Sequence, residues 1–162
     1  MTSPAAMRVS EVDIIMRIVI QRVLSASCSV EGNQVSHIGI GLLVFVGVEN
    51  TDTEKDIETA ARKISGIRIF RGDNGKMTLS VGDIGGSIML ISNFTLCADC
   101  SHGRRPEFIS AAKADKAEDY YEKLYIALSR SVPTVKGVFG GDMRISAENF
   151  GPVTVYLDTA RL

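Results

Sequence analysis

Apolar residues along this chain fall into short runs with two different periods. Residues 16–24 (MRIVIQRVL) are apolar and β-branched enough for a strand, although Gln21 and Arg22 interrupt them. Residues 27–30 and 34–38 flank Glu31-Gly32-Asn33, the signal of a hairpin. Residues 41–48 (GLLVFVGV) form a continuous apolar run, as a strand buried on both faces requires. The period then lengthens. Thr51-Asp52-Thr53 offers N-cap residues, and Ile57, Ala60, Ala61, Ile64 and Ile67 recur at helical spacing across residues 54–67.

Strand character returns at residues 67–70, and Asp73-Asn74-Gly75 marks a turn. Residues 77–81 and 86–92 read as two further strands, the second running into Asn93-Phe94-Thr95-Leu96. Residues 97–106 are polar and irregular, with Gly103-Arg104-Arg105-Pro106 as a basic tip. Asp115 and Glu118 have the spacing of a capping box, and the helix after them buries Ala117, Tyr121, Leu124 and Leu128 until Pro133 stops it. Residues 135–139 and 143–147, parted by Gly140-Gly141-Asp142, predict another hairpin, and residues 153–157 the last strand. Eight or more strands against two long helices make an α+β domain with a large, mainly antiparallel, barrel-like sheet.

The 162 residues suit one domain, with residues 1–15 as a dispensable N-terminal extension and 16–162 as the folded unit. A formal net charge of −1 gives no general attraction to nucleic acid, so any RNA contact must come from a local patch. The cysteines are Cys28, Cys97 and Cys100; an odd number in a chain of this length points to a reducing, cytoplasmic compartment. No apolar run approaches the roughly 18–20 residues that span a bilayer. Glu11 and Asp13 argue against a transit peptide.

Cys97-x-x-Cys100-x-His102 has part of a zinc pattern, but a structural site needs four ligands, and Cys28 and His37 are far away in sequence. Buried or incidental thiols are the simpler reading, and neither metal nor cofactor is expected. Ser92 and Thr95 could be nucleophiles only beside a base, and His37 and His102 lie in no recognisable nucleophile motif. Gly-x-Ser-x-Gly, a P-loop and a Gly-x-Gly-x-x-Gly after a strand are all absent. Arg104 and Arg105 either meet phosphate or are solvated.

Arg22 is different, because it interrupts an apolar strand. A guanidinium there either reaches solvent or is held by carbonyls and carboxylates, and its five donors could organise backbone oxygens near Gly151-Pro152. That step belongs to Asn149-Phe150-Gly151-Pro152-Val153-Thr154. Pro152 fixes φ and makes a cis bond cheap, while Gly151 lets backbone approach closely. Alone, these six residues read as a turn entering a strand.

Two stretches together resemble the D-aminoacyl-tRNA deacylases (formerly D-tyrosyl-tRNA deacylases). That family carries Ser-Gln-Phe-Thr-Leu and Asn-x-Gly-Pro-Val-Thr; this chain has Ser92-Asn93-Phe94-Thr95-Leu96 and Asn149-Phe150-Gly151-Pro152-Val153-Thr154. Residues 16–23, 42–47, 68–70, 75–77, 103–106 and 137–140 extend the likeness, which covers about residues 16–158. The resemblance implies hydrolysis of the ester between a D-amino acid, or glycine, and the 3′-terminal adenosine of tRNA. It implies a homodimer with its pocket at the subunit interface, where Gly151 and Pro152, joined by a cis bond, enter the partner's pocket. Arg22 would hold that pair in orientation. Ser92 to Leu96 would form the pocket wall, with Ser92, Phe94 and Thr95 at the chemistry, and Phe139 and Met143 near the adenine. Asn149 and Asn93 would flank the substrate; Asn93 replaces the family's usual Gln and is one methylene shorter.

Two other readings compete. One is a nucleic-acid-binding or interaction protein that keeps the fold and dimer without turnover, for which Asn93 is the only sequence feature. The other is a related deacylase with a trans Gly151-Pro152 step and tolerance of some L-residues; Phe94 and Val153-Thr154 argue against it.

Overall fold

The computed structural model describes residues 16–159; the extension assigned to residues 1–15 lies outside them. Eight strands and two α-helices follow in the order β1 (Arg17–Val30), β2 (Asn33–Ile38), β3 (Gly41–Gly47), α1 (Glu54–Gly66), β4 (Phe70–Arg71), β5 (Met77–Leu79), β6 (Ser87–Ser92), α2 (Ala114–Ser129), β7 (Thr134–Lys136) and β8 (Met143–Asp158). A short 3-10 helix, Phe94–Cys97, follows β6.

The sheet is organised around β1. Its first half pairs with β3 and its second half with β2, both antiparallel, while β8 runs antiparallel along its other edge. Glu31 and Gly32, at φ 51° and 79°, make the tight turn between β1 and β2. Beyond β3 the pairings become parallel: β3 with β6, and β6 with β7. The large sheet is therefore mixed, and β2 and β7 come into contact as it curls into a nearly closed barrel.

Alternation along each strand sends side chains to two cores. Ile18, Ile20, Leu42, Val44, Ile88 and Leu90 face the helices, meeting Ile57, Ala60 and Ile64 of α1 and Tyr121, Leu124 and Leu128 of α2. Val23, Ala26, Cys28, Leu43, Met89 and Ile91 fill the barrel interior. Each buried aliphatic side chain contributes about 1.5–3 kcal/mol.

Several expectations need correction. The strand beginning near residue 16 does not stop at Leu24; β1 runs on to Val30, because the polar interruption at Arg22 is satisfied within the protein. Residues 135–139 and 143–147 do not form a hairpin. Val135 pairs with Met89, while Met143 pairs with Val30 and Ile145 with Cys28. Residues 153–157 are the end of the long strand β8. The strand placed at residues 67–70 reduces to Phe70–Arg71, since Ile67 caps α1 by donating its N–H to Lys63 O. No capping box forms at Asp115: α2 starts at Ala114, with Lys113 as an N-cap that supplies no side-chain bond. No helix among the described residues is long and apolar enough to cross a membrane.

Thr53 caps α1, its N–H bonded to the Asp56 carboxylate at 2.7 Å. Asp52 instead turns inward. It is buried and accepts the N–H groups of Met16 and Glu49, both at 2.7 Å. Burial pushes its carboxyl up to about 7, opposed by those two bonds and reinforced by Asp56 and Glu49 nearby. The folded state thus keeps a proton that the unfolded state releases, so this group removes stability as pH rises from about 4 to 7. Relative to Asp52→Asn, the wild-type unfolding free energy from urea titrations is expected to fall over that window by up to about 4 kcal/mol. Parallel profiles for the two proteins would refute this assignment.

Candidate active site

β6 delivers Ser92 to the edge of a cavity of about 560 Å³. Ser92, Asn93 and Phe94 form one wall, Ala112, Ala114 and Tyr121 another, and Phe139 and Met143 close a third side. The Tyr121 hydroxyl donates to Leu90 O at 2.7 Å, and burial pushes its phenol above the ordinary range. It is a neutral part of the floor and no base at working pH.

The wall is fixed from behind. After Ser92 the backbone bends at Asn93, whose N–H donates to Val46 O at 2.8 Å, and enters the 3-10 helix. That turn packs so closely on β3 that a Cβ at Gly47 would lie 3.0 Å from both Asn93 O and Cys97 Sγ. Beneath it the fully buried Glu49 carboxylate meets Arg17 Nε at 2.7 Å. Cys97 is buried there, and burial, with Glu49 beside it, pushes its thiol up to about 12. It is a packing group and an unreactive one.

On the outer side, the Thr95 hydroxyl donates to the Asn93 side-chain oxygen. A carboxamide is no base, so this partner orients Thr95 without activating it. Phe94 is 57% exposed and packs edge-on against Phe108, with centroids 4.9 Å apart.

The Gly-Pro stretch lies elsewhere. Along β8, Thr154 is opposite Gln21 and Asn149 is opposite Val23, so residues 150–153 stand against Arg22 alone. Such an insertion must bulge from the ladder. Arg22 holds it: Nε donates to Phe150 O at 2.8 Å, Nη1 donates to Ile69 O at 2.7 Å, and Cζ lies 4.4 Å from the Phe150 ring centroid. Arg22 is itself only 2% exposed. The Gly151–Pro152 peptide is cis, and Gly151 has φ 136°. A Cβ at Gly151 would meet Val153 N at 2.8 Å and Arg22 Nη2 at 3.1 Å, so only glycine fits. Gly151 and Pro152 are exposed on the bulge, with Asn149 exposed at its flank.

The structure therefore brings Ser92, Asn93, Phe94, Phe139 and Met143 to one cavity and groups Arg22 with Gly151 and Pro152 at another place. Thr95 and Leu96 continue the wall's backbone without lining the cavity, and no residue of the bulge lines it. Along β8 the bulge stands opposite Arg22, whereas Ile145, the nearest cavity-lining residue of that strand, stands opposite Cys28, six residues further along β1. The oxygens held by Arg22 are those of Phe150 and Ile69, one of them outside the motif. A carbonyl carries no sequence signature, so Ile69 could not have been found. Tyr121 was legible as a helical core position, and neither it nor Ala114 as cavity lining.

Of the cysteine pair, Cys97 is buried and Cys100 exposed. Among the described residues, the metal-ligand types that do converge are Asp99, His102 and Glu107, exposed, with ligand atoms within 4.8 Å of one another.

A sequence model of the D-Tyr-tRNA(Tyr) deacylase family matches residues 19–158. The chain is 47% identical over 148 residues to a D-aminoacyl-tRNA deacylase of Dictyoglomus turgidum (strain DSM 6724 / Z-1310), covering 91% of this chain and 95% of that protein. Among solved structures it is similar to a c-Myc DNA unwinding element binding protein, with TM-score 0.82 and 36% identity over 88% of this chain and 97% of the other. A structure described as a probable eukaryotic D-amino acid tRNA deacylase matches in fold, with TM-score 0.77 and 16% identity over 88% and 98% of the two chains.

Lysine cannot reproduce the fork by which Arg22 holds two carbonyls. Arg22→Lys is expected to lower the urea unfolding free energy by about 1–3 kcal/mol. An unfolding curve superimposable on wild type would show that the clamp does not hold the bulge.

Proposed function

The chain belongs to the D-Tyr-tRNA(Tyr) deacylase family and is by that membership a D-aminoacyl-tRNA deacylase, and from this premise we propose how its two motifs make one site. The observation that carries the proposal is the separation just described. The Gly151-Pro152 bulge is clamped and exposed, and none of its residues lines its own chain's cavity. It rides on β8, whose only strand partner among the described residues is β1, so the strand's second edge is open along 16 residues. An open edge of that length is a template for another chain. A second copy, related by a two-fold axis, puts each bulge at the other's cavity and completes two equivalent sites.

In the completed site the carbonyls of Gly151 and Pro152 accept the α-amino group of the substrate. An L side chain would project into that backbone, while a D side chain or glycine would not. Rejection is steric and made by main chain, so many D-residues are accepted and glycyl-tRNA is a further substrate. The N–H groups of Phe94 and Thr95, at the start of the 3-10 helix and without an acceptor inside it, polarise the ester carbonyl. Water attacks the carbonyl carbon, and the ribose oxygen leaves with a proton passed by the neighbouring 2′-OH. Thr95 serves through its backbone, since its hydroxyl is committed to Asn93. The substrate and the sequence's cysteine usage fit a cytoplasmic enzyme.

The test is hydrolysis of matched D- and L-tyrosyl-tRNA by purified protein, with and without a chelator. The D ester is expected to disappear while the L ester survives, with no effect of chelator. Loss of both esters would sink the main-chain filter. Tight tRNA binding with neither ester hydrolysed would favour the non-catalytic reading and turn attention to Asn93→Gln.

A further inference from the structure

We infer that the tRNA strand reaches this cavity across a rim of three cations, Arg104, Arg105 and Lys113. The inference rests on the deacylase reading for its ligand and goes beyond it in placing that ligand on the surface. The scissile ester sits on the last nucleotide, so the strand leading to it must carry its phosphates past the cavity mouth. With a formal net charge of −1 the protein offers no general attraction, and the attraction must be local.

Lys113 stands between Ala112 and Ala114, both of which line the cavity, and its own side chain is exposed. Its charge is thus at the mouth. Arg104 and Arg105 form the exposed tip of a loop that is tied to the same mouth. At the loop's base Asp99 and Glu107 pair antiparallel, with N–H to O distances of 2.8 and 2.9 Å in the two directions. The next residue, Phe108, packs on Phe94 of the cavity wall. The base from which the tip projects is therefore held against the wall.

The charges of this rim are uncommitted. Arg17, Lys123 and Lys136 are engaged with carboxylates, Lys116 with Asn50 O, and Arg22 with two carbonyls. Arg104, Arg105 and Lys113 have no ion pair or side-chain hydrogen bond among the described residues. The loop's own carboxylates, Asp99 and Glu107, converge with His102 at the base and leave the tip basic.

The experiment compares two substrates, D-tyrosyl-tRNA and the D-tyrosyl ester of adenosine, which lacks phosphate. For the triple variant Arg104→Ala/Arg105→Ala/Lys113→Ala, the ratio of kcat/KM for the tRNA to that for the nucleoside ester is expected to fall about tenfold or more. The dependence of log kcat/KM on log salt for the tRNA should flatten by about 2, near 0.7 for each lost single-strand phosphate contact. Arg130→Ala, at the far end of α2, should alter neither quantity. An unchanged ratio and slope, or an equal fall caused by Arg130→Ala, would overturn the placement. A wild-type protein that hydrolyses neither ester would instead bring down the functional reading, and the inference with it.

Discussion

A guanidinium inside an apolar strand is the constraint on which the site depends. Arg22 sits in β1, 2% exposed, with a carbonyl from β8 on one nitrogen and a carbonyl from the segment before β4 on another. Without those oxygens its burial would cost several kcal/mol, and without Arg22 a four-residue bulge would have nothing beneath it. Each makes the other possible. The Phe150 ring over the guanidinium adds a third contact and shields the charge from water. The position that looks like a flaw in the first strand is thus what shapes the last one.

The rest of the fold sets the distance between two prepared surfaces. β1 is long enough to carry the bulge opposite its first half and a cavity-lining part of β8 opposite its second. The wall at Ser92–Phe94 is held by β3 through Asn93 and by the close approach at Gly47. Neither surface contains a base positioned on a nucleophile. That economy suits an aminoacyl ester, which is already reactive and needs only orientation and a polarised carbonyl.

Much of this was legible in the sequence, for identifiable reasons. The helix α2 was readable because Ala117, Tyr121, Leu124 and Leu128 share one stripe, and helical periodicity is a local property. Gly151-Pro152 stood out because proline fixes the backbone where glycine frees it, and both this step and Ser92–Leu96 match family motifs. Strand partners were not legible. Residues 135 and 143–145 alternate as a hairpin would, but alternation fixes which face a side chain takes and not which strand lies beside it. The cap expected at Asp115 falls inside the first turn, because α2 begins two residues earlier than that cap requires, with Lys113 at its N-cap. Arg22 was readable as a held residue, whereas Ile69, one of its holders, contributes only a carbonyl.

The central claim is that cavity and Gly-Pro bulge act together only across two copies of the chain. It is tested most directly by mixing two chains, each disabled in one half: Gly151→Val, which blocks the bulge, and Ala114→Trp, which fills the cavity. After joint unfolding and refolding in equal amounts, half of the dimers pair unlike chains, and each of those holds one intact site. The account predicts recovery of about a quarter of wild-type D-tyrosyl-tRNA hydrolysis. Activity no greater than the sum of the two separate variants would place both halves of the site in one chain and contradict it.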